Sequence, residues 1–220
     1  MKGQLIVLEG TDGSGKSTQK ELLIKKLTEK GVDFRTVTFP RYSHESSALV
    51  RMYLGGEFGS APDSVPAKTA SVLYAVDRYA SFKKDWEDYY KNGGIIVCDR
   101  YTTSNAVHQT PKLPEGEWFD FTDWLFDFEY SVMGIPAPDM VLFLDMPTEY
   151  SLSLIEKRQG DKGDIHEKDH EYLARCRKCA LKICEKYGWK KISCVENGRI
   201  KAAEEISNDI AKLVLERIGI

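Results

Sequence analysis

A chain of 220 residues, 42% hydrophobic and 30% charged, is long enough to bury a sizeable apolar core and suits one compact domain over residues 1–220. Its formal charge of −3 and pI near 5.9 create no broad basic field for nucleic acid or an acidic membrane surface, so any anionic ligand must meet locally focused charge. Five cysteines, odd in number and widely spread, make no disulfide framework and are expected to be reduced.

Residues 1–20 run straight into a strand and a glycine loop without a basic and apolar leader, and no apolar run approaches the roughly 18 residues that a membrane helix needs. The expectation is a cytoplasmic protein. Short apolar runs then alternate with amphipathic stretches, which predicts an α/β fold with a parallel sheet. The strands are expected at 3–9, 33–39, 94–99, 139–145 and 191–196. Helices are expected at 16–30, 67–92, 148–157, 168–187 and 201–218. Two stretches break the alternation, 43–66 and the polar, glycine-spaced 158–169; inserts of this kind are where substrate flaps and lids are found.

WFDFTDWLFDFEY at 118–130 could be taken for a base-stacking strip, but Trp118, Phe121, Leu125 and Phe128 recur at helical spacing. A buried or subunit-facing helix is the expectation, because a single-strand binder would interleave Lys or Arg where this segment has Asp and Glu. Cys176 and Cys179 form a CxxC, yet with Leu173, Ala180, Ile183 and Cys184 they share one helix face, which predicts packing; a structural zinc site would need a second ligand pair. His166 and His170, four apart among charged residues, read as a solvated loop and helix start.

GTDGSGKST at 10–18 follows an apolar strand and satisfies GxxxxGK[ST], with Gly10, Gly15, Lys16 and Ser17 at the diagnostic places. The glycines let backbone N–H groups curl around a phosphate, Lys16 reaches the outer phosphate oxygens, and Ser17 holds magnesium. Asp99, ending the strand IIVCD, is placed to be the second magnesium ligand, directly or through water. Arg100 follows where many ATPases carry a water-positioning Glu, which favours gripping an anionic acceptor over hydrolysis. No NKxD guanine-reading motif is present.

Together, LEGTDGSGKSTQ, TFPRY, LYAVDRYA and CDRYTTSNAVHQ resemble the thymidylate (dTMP) kinase family, over most of the chain and in the family's order. The resemblance implies a P-loop NTPase three-layer sandwich, a five-stranded parallel sheet flanked by helices with a short lid near 158–169 and an acceptor region near 39–78. It implies ATP and dTMP as substrates, Mg²⁺ as cofactor and a homodimer, with neither nucleic acid nor membrane as partner. ATP would be held by Gly10, Gly13, Ser14, Gly15, Lys16, Ser17 and Thr18, with Arg158 against adenine. The acceptor would be held by Asp12 near the sugar 3′-hydroxyl, Phe39, Arg41 and Arg100 at the phosphate, Tyr74 stacked on thymine, Arg78 donating to its O4, and Ser104 and Asn105 lining the base.

Two departures stand out. The family usually has Tyr or Phe at the position of His108, crowding the sugar 2′ position, so His108 predicts looser selection of deoxyribose. One group of the family carries an arginine in the phosphate loop where this chain has Gly13, and another carries arginines in the lid. Arg158 is assigned to adenine, so Lys162 is expected to be the catalytic lid cation beside Lys16 and Arg100. Asp164 and Glu167 resemble lid carboxylates that contact the acceptor sugar or metal shell.

Overall fold

The computed structural model describes residues 2–59, 61–159 and 170–220. Five parallel strands form one sheet in the order β2-β3-β1-β4-β5: β1 Gln4–Gly10, β2 Phe34–Thr38, β3 Ile95–Asp99, β4 Met140–Asp145 and β5 Lys190–Ser193. β1 lies at the centre and is buried on both faces, which is why it reads as an unbroken apolar run.

Side chains of a strand alternate between faces, so β1 feeds two cores. Ile6 and Leu8 pack with Leu23 and Leu27 of α1 (Lys16–Glu29) and with Ile210 and Val214 of the last helix. Leu5 and Val7 pack on the other face with Phe82, Trp86 and Tyr90.

Following β2, the stretch expected as an insert contains a short helix, α2 (Ala48–Leu54), which buries Val50 and Tyr53. α3 (Ala67–Ser81) passes through a π-helical stretch, Phe82–Trp86, into α4 (Glu87–Lys91), so the single expected helix at 67–92 is interrupted by a wider turn that aims Phe82 and Trp86 inward. α5 (Thr102–His108), absent from the expected elements, follows β3 directly.

The aromatic segment folds as α6 (Trp118–Phe126) and a second π-helical stretch, Asp127–Val132. Trp118, Phe121 and Leu125 are buried as expected; Phe128 is only half-buried, stacked on Trp124 at 5.5 Å, and Glu129, one turn beyond Leu125, takes the interior place.

Beyond β4 come α7 (Thr148–Gln159) and α8 (His170–Tyr187), whose inner face carries Cys176, Cys179 and Cys184 into apolar clusters, as the packing reading requires. The expected strand at 191–196 is split: β5 stops at Ser193, and β6 (Val195–Glu196) pairs with β7 (Arg199–Ile200) as a hairpin before α9 (Ala203–Ile218). No helix among the described residues is long and apolar enough to cross a membrane.

Candidate active site

Parallel sheets bind ligands beyond the carboxyl ends of their strands where neighbouring connections run in opposite directions, and β1, between β3 and β4, is such a place. The pairing register sets Leu8 beside Asp99 and Gly10 beside Leu144, so the phosphate loop and the end of β3 emerge on one edge.

The loop turns through Gly13 (φ 75) and Gly15 (φ 85), backbone conformations that favour glycine, and delivers Lys16 as the first residue of α1. The Lys16 ammonium is buried, donating to the carbonyls of Gly10 (2.6 Å) and Thr11 (2.9 Å). Burial lowers its pKa to about 8, reinforced by Arg100 and opposed by Asp12, Glu9 and Asp99. Ser17 and Thr18 are exposed at the mouth of the loop, and Ser14 is buried beneath it. Gly13 meets α7: a Cβ there would lie 2.5 Å from the Ser151 carbonyl oxygen and 2.9 Å from Ile155 Cγ1.

Arg100 leaves β3 with φ 61, a left-handed conformation that costs a non-glycine residue about 1–2 kcal/mol. The turn aims its guanidinium back at the phosphate loop. One end pairs with the Asp12 carboxylate, and Nη1 lies 3.1 Å from His108 Nε2. Burial alone would raise the Asp12 carboxyl, but Arg100, His108 and Lys16 outweigh it and hold it well below the usual carboxylate range. Burial likewise opposes the charge on Arg100, yet Asp12, Glu9 and Asp99 keep its pKa above the ordinary arginine value.

A cleft opens beside this pair, its lining including Asp12, Phe39, Tyr74, Arg78, Arg100, Ser104, Asn105 and His108. Eight of the expected acceptor residues therefore meet in one cavity. Tyr74 stands edge-on to Tyr53 at 6.2 Å, Asn105 Nδ2 donates to the Ser71 carbonyl at 3.2 Å, and Arg78 is buried one helical turn from Tyr74.

Arg41 is not brought to this cleft. Its Nε lies 3.3 Å from Asp77 Oδ1, its backbone N–H donates to Asp77 Oδ2 at 2.8 Å, Nη1 pairs with Asp85, and Nη2 donates to Ser46 at 3.0 Å. Phe39 and Tyr42 face the cavity while Arg41, between them in the chain, turns to the acids of the neighbouring helix.

At the end of β3, Asp99 Oδ2 pairs with Lys20 at 3.3 Å, while Oδ1 is buried with no hydrogen-bond partner among the described residues. An unsatisfied carboxylate oxygen at the end of β3 and an exposed hydroxyl on the phosphate loop, Ser17, suit a Mg²⁺ site completed by phosphate and water oxygens. Among the described residues no cluster of three or more His, Cys, Asp and Glu could cage a metal. Arg158 lies in the last turn of α7; Lys162, Asp164, His166 and Glu167 lie outside the described residues.

Two buried acids escaped the sequence reading. Glu9, fully buried at the end of β1, accepts from Thr103 (2.8 Å), Ser104 (2.7 Å) and the Gly10 amide (3.1 Å), and burial pushes its carboxyl up against the pull of Arg100 and Lys16. Glu129, also fully buried, receives both Arg78 Nε and Nη2 at 2.6 Å. Each had a signal: an acid closing an otherwise apolar strand, and an acid on the helix stripe of Trp118 and Leu125.

The family model described as Thymidylate kinase matches residues 8–206. A probable thymidylate kinase of Pyrococcus horikoshii is 30% identical over 216 residues, covering 97% of each chain. A thymidylate kinase of Prochlorococcus marinus is 31% identical over 221 residues, covering 97% of this chain and 99% of its own. The solved thymidylate kinase of Candida albicans superimposes with a TM-score of 0.71 at 23% identity, over 98% of this chain and 92% of its own, a likeness of fold. With a phosphate-loop motif and a cleft sharing Asp12 on one sheet edge, the chain belongs to the thymidylate kinase family.

Proposed function

We propose that this chain transfers the γ-phosphoryl group of ATP to dTMP, yielding dTDP and ADP, with the donor on the loop at 10–18 and the acceptor in the cleft beside Arg100. The observation that carries this reading is Asp12: it belongs to the phosphate loop, lines the cleft and pairs with Arg100, so donor and acceptor positions share a wall.

Phosphoryl transfer asks a protein for alignment and for cations around the moving group rather than for covalent chemistry. The loop amides and Lys16 bind the donor phosphates once Lys16 exchanges its two carbonyl partners for phosphate oxygens. Ser17 and Asp99 would hold Mg²⁺, which neutralises phosphate charge when bound. Arg100 receives the acceptor phosphate with its planar fork, aligned from one side by Asp12 and from the other by His108. Arg41 can join it only by leaving Asp77 and Asp85. Tyr74 stacks on the base, Arg78 donates to its O4, and Ser104 and Asn105 close the edge.

We also propose a cytoplasmic homodimer. Val72, Val76 and Tyr79, at i, i+4 and i+7 along the outer face of α3, are exposed together and suit a second copy of the chain. ADP formation from ATP with dTMP, dUMP, dCMP, UMP and thymidine tests the acceptor assignment and the His108 departure at once. The expected result is highest kcat/KM on dTMP, with UMP less strongly rejected than an aromatic residue at 108 would achieve. Thymidine equal to dTMP would overturn the role of Arg100.

A further inference from the structure

The aromatic segment that contributes α6 has so far served only as core, yet it ends in a carboxylate buried against the cleft. Glu129 and Arg78 are both almost wholly out of solvent, and both carboxylate oxygens are engaged: Oε1 accepts from Arg78 Nη2 at 2.6 Å, and Oε2 accepts from Arg78 Nε at 2.6 Å and from Thr102 Oγ1 at 2.8 Å. Thr102 opens α5, so the carboxylate is fixed from two helices. It projects from the π-helical stretch one turn beyond the buried Leu125.

We propose that Glu129 is a positioning residue for pyrimidine choice: its fork on one edge of Arg78 leaves the guanidinium only its opposite edge to offer the acceptor cleft. A guanidinium has five N–H donors and no acceptor. Two are taken by Glu129, so those left to the cavity are the pair on Nη1 and one on Nη2. A donor-only edge held at a set place accepts a ring carbonyl and opposes a ring amino group, which separates dTMP and dUMP from dCMP. A buried ion pair is weak evidence for stability, whereas bidentate geometry specifies orientation. The inference rests on the reading of Arg78 as the group that meets the base.

Glu129→Asp keeps the charge beside Arg78 but withdraws the carboxylate by one methylene. The expected result is a KM for dTMP raised roughly tenfold, kcat within about twofold, KM for ATP unchanged, and the ratio of kcat/KM for dTMP over dCMP lowered roughly tenfold. A folded Glu129→Asp enzyme with KM and ratio unchanged overturns the proposal, as does a uniform loss that leaves the ratio intact. Thr102→Val, which removes only the hydroxyl on Oε2, is expected to shift the ratio in the same direction by about threefold and keeps the test open if Glu129→Asp does not fold; no shift in the ratio counts against the proposal. Arg78→Lys separates the two claims. If Arg78→Lys loses the preference and Glu129→Asp keeps it, Glu129 is only a counter-ion; if Arg78→Lys itself keeps it, the base-reading role of Arg78 falls.

Discussion

Lys16 holds a charge where charge is costly. Its ammonium is out of water, on two loop carbonyls, and that burial brings the pKa to about 8 in spite of three nearby carboxylates. In the free protein the cation is therefore lost as pH rises through about 8, while ATP phosphates in its place favour the charged form. Nucleotide binding at pH 8.5 should take up more than about half a proton, and affinity should fall by up to about tenfold per pH unit above that range. Calorimetry in two buffers of different ionisation heat measures the uptake; none at pH 8.5 would show that Lys16 does not meet the phosphates. The linkage to folding has the opposite sense. Between about 8 and the ordinary lysine value near 10.5, the unfolded chain binds more protons than the folded one, so the stability cost of burying this group eases as pH rises.

Among the elements, α7 decides what the phosphate loop can be. An arginine at position 13 would have to grow from a left-handed backbone into the Ser151 carbonyl and Ile155, so α7 in its present place excludes it. Gly13→Ala should lower stability by about 1–3 kcal/mol, several degrees in Tm. Gly15→Ala is the control, because its φ of 85 is equally unsuited to a side chain while the space beyond it is open. Thermal melts should show the larger loss at Gly13; equal losses would mean that α7 yields without cost.

The same elements show what could be read without coordinates. Of the five strands, β1, β3 and β4 were legible because strands buried on both faces are continuous apolar runs, whereas the edge strands β2 and β5, mostly exposed, were legible from the alternation of strand and helix; the phosphate loop was legible because its geometry demands particular residues at particular spacing. α2 and α5 are only seven residues each, too short for helical periodicity to declare itself. Glu129 was hidden for another reason: it lies on the stripe of Trp118 and Leu125, but a stripe is traced through apolar residues, so the inward place was given to Phe128. Arg41 was read as a ligand of the acceptor phosphate, but the choice between phosphate and the two acids it meets here, Asp77 and Asp85, is a tertiary matter that no motif encodes.

For the whole molecule the unresolved demand is charge at the moment of transfer. With a net charge of −3 the protein supplies no general positive field, so each cation near the transferring group counts. In the proposed mechanism Lys16 faces the donor, and Arg100, which pairs with Asp12 and lines the cleft, serves the acceptor. The position from which some relatives reach with an arginine is filled by α7 packed on Gly13. That same helix ends at Gln159, so the element that excludes a loop arginine leads into the stretch proposed as the lid. Lys162 is the cation expected there to meet charge that builds up between donor and acceptor. Such a contact forms in the transition state and not with bound dTMP alone, so Lys162→Ala should lower kcat by about tenfold to a hundredfold and leave the KM for dTMP within about twofold. Steady-state kinetics with both substrates varied, compared with Lys168→Ala, measures the split. A fall in kcat confined to Lys162→Ala assigns the charge to that lysine, whereas an unchanged kcat moves it to Lys168 or to an Arg41 released from Asp77 and Asp85.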